Sequence, residues 1–158
     1  MSLALSVNGE AHEVEARTDE SLLEVLRREL GLLTVRETCG IGVCGTCTVL
    51  LDGDAVTSCI LLAPLAEGRE ITTVEGLSDD DAVPRAFIAA HAFQCGWCTP
   101  GMVLTAKRFL EEVPDPTEEE IRVAMSGNLC RCGSYLKIID AVRGAAAAQR
   151  KEEGGASG

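Results

Sequence analysis

The chain has 158 residues, of which 46% are hydrophobic and only 3% aromatic, and it carries a formal net charge of −11. This length allows one or two small domains whose core is built from aliphatic side chains. The acidic balance argues against nucleic-acid binding, which needs a basic surface, and the sequence has no apolar run long enough to predict a transmembrane helix.

Two β-hairpins are predicted in the first half of the chain. Asn8-Gly9 and Asp52-Gly53 each lie between two short segments rich in apolar and β-branched residues. Such dipeptides favour the two-residue turns that match the twist of paired strands. A further strand is predicted over residues 71–74.

A short amphipathic helix is predicted between the two hairpins. Ser21 and Glu24 have the spacing of a capping box, and apolar residues follow at helical intervals until Gly31. Together with the hairpins and the last strand, this helix predicts a small mixed sheet with one packed helix.

Three cysteines lie within nine residues between that helix and the second hairpin. Cys39, Cys44 and Cys47 are followed by Cys59, which gives the spacing C-x4-C-x2-C with a fourth cysteine further on. This spacing is the plant-type 2Fe-2S pattern. Glycines between the cysteines allow a tight loop whose backbone N–H groups point inward, as an anionic centre requires.

The second half of the chain predicts four short helices and no strand. The first starts between Ser78 and Asp81, and the second has Thr99 as N-cap and Pro100 at its first position. The third begins with a capping box at Thr117, and the fourth begins near Ser134. Four helices of this kind suggest a bundle.

A second set of cysteines lies at the predicted helix ends. Cys95 and Cys98 fall between the first and second of these helices, and Cys130 and Cys132 fall between the third and fourth. Short loops in a bundle can bring these connections to the same end. The four thiols are therefore candidate ligands of a second centre.

Eight cysteines have two other common uses, disulfide bonding and zinc binding. Disulfides are favoured in exported proteins, but the N-terminal segment has no basic and apolar signal region. Zinc is a rival because CxxC pairs are common in zinc sites, although three cysteines in nine residues make a poor zinc knuckle. Iron–sulfur centres are preferred over both, and a colour and metal assay would separate them.

Three motifs together resemble the small iron–sulfur subunit of the molybdenum hydroxylases, the family of xanthine dehydrogenase and aerobic carbon monoxide dehydrogenase. The motifs extend from Cys39 to Cys47 (CGIGVCGTC), from Phe93 to Met102 (FQCGWCTPGM) and from Ser126 to Cys132 (SGNLCRC). The resemblance covers residues 1 to about 145. One departure is Gly133-Ser134-Tyr135, where family members commonly carry Thr-Gly-Tyr.

The resemblance implies an α+β fold with two domains and a tail. Residues 1–76 would form a β-grasp domain of the plant-type ferredoxin kind, and residues 77–149 a four-helix bundle that binds the second cluster. Residues 150–158 are charged and glycine-rich, which predicts a flexible tail.

The resemblance also implies the function. The chain would relay electrons through two 2Fe-2S clusters, from a molybdopterin site in a large partner subunit to FAD in a medium one. It would itself hold no catalytic residue, and the assembly would be a cytoplasmic heterotrimer or a dimer of heterotrimers. Gln94 and Cys132 match positions that contact the pterin cofactor. The proposed iron ligands are Cys39, Cys44, Cys47, Cys59, Cys95, Cys98, Cys130 and Cys132.

A free-standing two-cluster ferredoxin is the alternative function. Such a soluble carrier would dock transiently on several enzymes. It would need only about the first 76 residues, whereas the four added helices offer a surface for a permanent partner.

Overall fold

A computed structural model describes residues 1–155 of the chain. It contains one five-stranded mixed sheet followed by a helical half, so the predicted α+β class is confirmed. Residues 156–158, the last part of the predicted tail, lie outside the described residues. Within the described range no helix combines the length and apolar character needed to cross a membrane.

Both predicted hairpins are present, and both turn dipeptides have positive φ angles. Asn8 and Gly9 have φ of 54° and 79°, and Asp52 and Gly53 have φ of 51° and 88°. Positive φ at both central residues is the geometry of the tightest hairpin turns. The strands are β1 (Ser2–Val7), β2 (Glu10–Glu15), β3 (Thr48–Leu51), β4 (Asp54–Thr57) and β5 (Glu70–Thr72).

The last strand lies in the middle of the sheet. The strand order is β2-β1-β5-β3-β4, in which β5 runs parallel to β1 and antiparallel to β3. Short 3-10 helices lie on either side of β5, over Ala63–Ala66 and Val74–Gly76, and neither was predicted.

Helix α1 (Leu22–Arg28) packs its apolar face on this sheet. The Ser21 side chain accepts a hydrogen bond from the Glu24 N–H while the Glu24 carboxylate accepts one from the Ser21 N–H, so the predicted capping box is present. The four aliphatic residues of the helix are fully buried. They join Leu3, Leu5, Val49 and Ile71 from the strands in one hydrophobic core.

The second half contains four helices that enclose a separate core. The helices are α2 (Ala82–Ala89), α3 (Thr99–Glu112), α4 (Glu118–Met125) and α5 (Tyr135–Gly155). Phe87, Met102, Ile121 and Val142 each come from a different one of these helices, and all four are buried in this core. The capping box predicted at Thr117 is present.

Two helix ends differ from prediction. Thr99 was expected to cap α3, but Cys98 occupies the N-cap position and makes no side-chain cap hydrogen bond. Thr99 is already the first helical residue, because the helix starts directly at the cysteine. At the other end of the chain, α5 continues to Gly155, so residues 150–155 are helical where a flexible tail was predicted. Arg150 contacts the carbonyl oxygen of Pro114 and the carboxylate of Asp115, which holds this part of α5 against the end of α3.

The two halves pack together through α3 and the sheet. All four residues of β3 are buried, because the first core covers one face and α3 packs on the other. Gly101 in α3 lies directly against Gly45 in the cysteine loop. A Cβ atom added at Gly101 would lie 2.2 Å from the Gly45 carbonyl oxygen, a distance that no side chain could tolerate.

We expect the substitution Gly101→Ala to destabilise the chain, because the new methyl group would force two backbone segments apart. Overpacking of this kind costs about 1–3 kcal/mol. Gly144→Ala is the matched control, since α5 leaves a Cβ there 3.8 Å from Ala86 and nothing closer. The free energy of unfolding of that control should rise by up to about 1 kcal/mol, because alanine has a higher helix propensity than glycine. Thermal unfolding followed by circular dichroism measures both changes. Equal changes in melting temperature for the two variants would contradict the prediction.

Candidate metal centres

The cysteines of the first set lie on one loop and one strand end. Cys44 and Cys47 are buried, while Cys39 and Cys59 are half-buried. Cys44 is close enough to Cys39 to contribute to the shift in the Cys39 pKa, and Cys59 is similarly close to both Cys47 and Cys39. All four predicted thiols of this set are therefore near one another.

The loop backbone supplies hydrogen-bond donors to this set. The N–H groups of Ile41, Cys44 and Val43 point at the Cys39 sulfur and lower the pKa of its thiol to about 6. At Cys59, burial followed by the neighbouring Cys47 sulfur raises the pKa to about 11. The surroundings thus favour a negatively charged sulfur at Cys39 and disfavour one at Cys59, where a metal must replace the proton.

Glycines make this loop geometry possible at two positions. Gly42 has a φ of 75° and passes under the side chain of Ile60, and a Cβ there would lie 2.7 Å from the Ile60 Cδ1 atom. Gly45 has a φ of 69°, and a Cβ there would lie 2.7 Å from the Gly127 carbonyl oxygen. The second contact is the more restrictive one, because the neighbouring atom belongs to the backbone and cannot turn aside.

The second set gathers at one end of the helical half. Cys98 and Cys130 are buried, Cys132 is half-buried and Cys95 is exposed. Cys95 is a close neighbour of Cys132 and Cys130, and Cys98 is a close neighbour of Cys130 and Cys95. The loop between α2 and α3 and the loop between α4 and α5 therefore lie next to each other, as predicted.

Burial and hydrogen-bond donors also shift the pKa values of three thiols in the second set. Burial followed by the neighbouring Cys130 raises the pKa of Cys98 to about 12. The Trp97 N–H lowers the pKa of Cys95. Burial also acts to raise the pKa of Cys130, but the N–H of Ser134 and other donors outweigh it and lower the pKa.

The donor set at each place fits a 2Fe-2S cluster. Such a cluster is held by four thiolates, and its potential is set by hydrogen bonds to sulfur and by solvent exposure. All eight cysteines are free thiols. Within residues 1–155, no three or more Cys, His, Asp or Glu side chains have the arrangement that would bind a single metal ion. The residues present instead offer two groups of four sulfurs with backbone donors beside them.

A cavity of about 450 Å³ connects the two sets. Cys44 of the first set and Cys95, Cys98 and Cys130 of the second set line its wall. The backbones meet beside it, because the Leu129 N–H donates to the Cys44 carbonyl oxygen at 2.9 Å. The buried amide of Asn128 donates to the Gly45 carbonyl oxygen at 3.0 Å.

Sequence reasoning missed the polar side chains around the cavity. Tyr135 accepts a hydrogen bond from the Cys130 N–H at 2.9 Å through its hydroxyl oxygen. Trp97 donates from Nε1 to the Thr38 hydroxyl at 2.9 Å, and Thr46 lies 3.3 Å from the Cys44 sulfur. Thr38, Thr46 and Trp97 are each next to a cysteine in the sequence and Tyr135 follows Cys132 by three residues, but no pattern there indicated their partners.

The two residues expected to face the pterin lie at the surface of the second set. Gln94 is exposed and directly precedes Cys95, and Cys132 is half-buried. The guanidinium of Arg36 stacks over the Trp97 ring, 4.6 Å from its centroid.

Two family models match almost the whole chain between them. A 2Fe-2S iron-sulfur cluster binding domain matches residues 5–78, and a second 2Fe-2S binding domain matches residues 73–143. Each match contains one set of four cysteines.

Similar proteins match most of this chain. The nicotinate dehydrogenase small FeS subunit of Eubacterium barkeri is 49% identical, with 90% of this chain and 93% of that protein covered. Among solved structures, quinoline 2-oxidoreductase from Pseudomonas putida 86 superposes with a TM-score of 0.90 at 43% identity over 96% of both chains. Aldehyde oxidoreductase from Desulfovibrio desulfuricans ATCC 27774 superposes with a TM-score of 0.89 at 40% identity over 96% of this chain, but over only 17% of that chain.

We expect Tyr135→Phe to weaken the second centre selectively, because it removes the acceptor of the Cys130 N–H while keeping the ring. An unpaired buried donor costs about 1–3 kcal/mol. The measurement is the rate at which a chelator removes each EPR signal of the reduced protein. The first centre is the internal control, and equal loss rates for both centres in the variant and the parent would contradict this role of the hydroxyl.

Proposed function

The chain belongs to the small iron–sulfur subunits of the molybdenum hydroxylase family, and on this premise we propose how its residues serve that subunit's electron transfer. Cys39, Cys44, Cys47 and Cys59 hold one 2Fe-2S cluster, and Cys95, Cys98, Cys130 and Cys132 hold the other. The observation that carries this assignment is that the eight thiols come together as two groups of four. When bound, such clusters accept and return single electrons.

The protein's own residues hold and shield these centres. Backbone N–H groups of the first loop donate to the Cys39 sulfur, and those of Trp97 and Ser134 donate to sulfurs of the second set. Donors at sulfur stabilise the more negative, reduced state and so raise the potential. Burial of the inner thiols keeps water from these positions.

The proposal also includes the fold of each half of the chain. The strand order and the helix packed on the sheet support a β-grasp fold for residues 1–76. The common core of α2 to α5 supports a four-helix bundle from residue 77 onward. The separate hydrophobic cores support this division into two domains.

The partners are a large molybdopterin-binding subunit and a medium FAD-binding subunit, in a heterotrimer or a dimer of heterotrimers. This chain corresponds to 17% of the aldehyde oxidoreductase chain, so a much larger polypeptide accompanies the same unit there. In the proposed complex the molybdopterin and FAD sites are supplied by the partner subunits. Eight free thiols suit a reducing compartment, and we place the complex in the cytoplasm.

The second cysteine set faces the pterin and the first set faces the flavin. Gln94 and Cys132 are the residues placed at the pterin. Gln94 is exposed beside an exposed ligand, Cys95, so a docked partner can reach both.

Purification from the native host tests the function. We expect the chain to elute with a larger molybdopterin chain and a flavin chain, and to contain about four iron and four acid-labile sulfide atoms. A colourless protein would contradict the metal assignment. A brown protein that elutes as a stable monomer would favour the free-standing two-cluster carrier.

We expect Gln94→Ala to slow reduction of the second centre by substrate roughly tenfold, the scale of losing a group that orients a cofactor. Iron content should stay unchanged, since Gln94 is not a ligand. Gln149→Ala is the matched control, because Gln149 lies near the far end of α5. Stopped-flow absorbance of the complex measures the rate, and a Gln94→Ala rate equal to that of the control would remove Gln94 from the pterin site.

A further inference from the structure

A buried serine lies between the second cysteine loop and the last helix. Ser134 directly precedes Tyr135, the first residue of α5, and its carbonyl oxygen accepts a hydrogen bond from the Ile138 N–H at 3.0 Å. Ser134 therefore occupies the N-cap position of α5. A serine at this position normally accepts, through its hydroxyl oxygen, a hydrogen bond from an N–H group of the first helical turn.

The Ser134 hydroxyl does not make this cap. Its oxygen is buried and has no hydrogen bond of normal geometry to any of the described residues, and Ser134 as a whole is only 8% exposed. Ser21 and Thr117, at the starts of α1 and α4, do accept cap hydrogen bonds, from Glu24 and Glu120. Because a buried hydroxyl without a partner is unfavourable, we looked for another group that this one can serve.

The Cys130 sulfur is the acceptor that the local fold offers. Gly133, with a φ of 76°, turns the chain back so that the Ser134 N–H donates to the Cys130 sulfur at 3.4 Å. The Ser134 hydroxyl oxygen is three covalent bonds from that nitrogen, so it lies in the same neighbourhood. Burial acts to raise the pKa of the Cys130 thiol, yet that pKa is lowered, and both the N–H and the side chain of Ser134 contribute to the lowering.

Binding of iron makes this sulfur a better acceptor. A cysteine that binds a metal is a thiolate, and hydrogen bonds to an ionised acceptor are about twice as strong as neutral ones. The single hydrogen of a serine hydroxyl rotates to suit its surroundings. At Ser134 no oxygen or nitrogen acceptor among the described residues competes for it.

We propose that the Ser134 hydroxyl donates a hydrogen bond to the iron-bound sulfur of Cys130 and thereby raises the potential of the second cluster. This inference rests on the ligand assignment proposed above. The hydroxyl is a second donor to the same sulfur, beside the N–H of the same residue. An added electron makes the sulfurs more negative, so this donor stabilises the reduced state more than the oxidised one. A higher potential here favours the step that brings an electron from the pterin into this chain.

The test is a redox titration of the intact complex followed by EPR, which reports a potential for each centre. A Cys59→Ser variant first identifies the signal of the first centre, since only that signal changes shape or disappears. Ser134→Ala removes the hydroxyl and keeps the Cβ atom and the N–H. We expect it to lower the potential of the second centre by at least threefold in the equilibrium ratio, about 28 mV at 59 mV per tenfold. The first centre is the internal control and should keep its potential.

Two further variants separate the hydroxyl from packing and from loop stability. Ser134→Thr keeps the hydroxyl and should keep the potential of the second centre. Ser126→Ala removes an exposed hydroxyl before the same cysteine pair, one that donates to the Val123 carbonyl oxygen at 2.7 Å, and should leave both potentials unchanged.

A spectroscopic measurement identifies the hydrogen bond itself. Pulsed ENDOR of the reduced second centre, in water and in deuterated water, detects exchangeable protons close to the cluster. We expect Ser134→Ala to lose one such proton and Ser134→Thr to keep it. A hydroxyl that served only the helix would change the melting temperature and leave this signal and the potential as they are.

Three results would overturn the proposal. The first is an unchanged second-centre potential in Ser134→Ala with both clusters present. The second is an equal loss of potential in Ser134→Ala and Ser134→Thr, and the third is an unchanged set of exchangeable protons in Ser134→Ala. A parent protein with fewer than two clusters by iron and sulfide content would instead contradict the ligand assignment, so the two failures are distinguishable.

Discussion

The relation between the two centres depends on a close contact between backbones. The carbonyl oxygens of Cys44 and Gly45 accept hydrogen bonds from the Leu129 N–H and the Asn128 side-chain amide, and Gly101 of α3 packs directly against the Gly45 oxygen. Most of these atoms belong to the backbone, which cannot turn aside as a flexible side chain can. The separation of the two cysteine sets is therefore fixed by hydrogen bonds and close packing between the two halves.

Electrostatics explains why this framework needs many backbone donors. The formal net charge is −11, and two oxidised clusters at about −2 each would bring the total to about −15. Adding an electron to such a chain is opposed by charge already present. N–H groups aimed at Cys39, Cys95 and Cys130 act locally against this repulsion. A donor within hydrogen-bonding distance of a sulfur outweighs a distant surface carboxylate, which water and salt screen.

Much of this molecule could be predicted from local sequence because its signals act over a few residues. The turn at Asn8, the capping boxes at Ser21 and Thr117, and the spacing of the first cysteines each depend on neighbours along the chain. The central position of β5 could not be predicted in this way, since it follows from pairing with residues 20 or more positions away along the chain. The contact of Trp97 with Thr38 spans 59 residues and has no periodic pattern to reveal it.

The same limit applies to Thr99, whose type and position are typical of an N-cap. The Cys98 backbone takes that position because the cysteine must also lie in the loop that gathers the second set. A serine or threonine cap stabilises a helix by about 1 kcal/mol. Four thiolates bound to iron contribute far more, as ligand binding to a structural metal centre is itself folding free energy. With Cys98, a proposed iron ligand, at the N-cap position, the Thr99 hydroxyl is left buried without a hydrogen-bond partner.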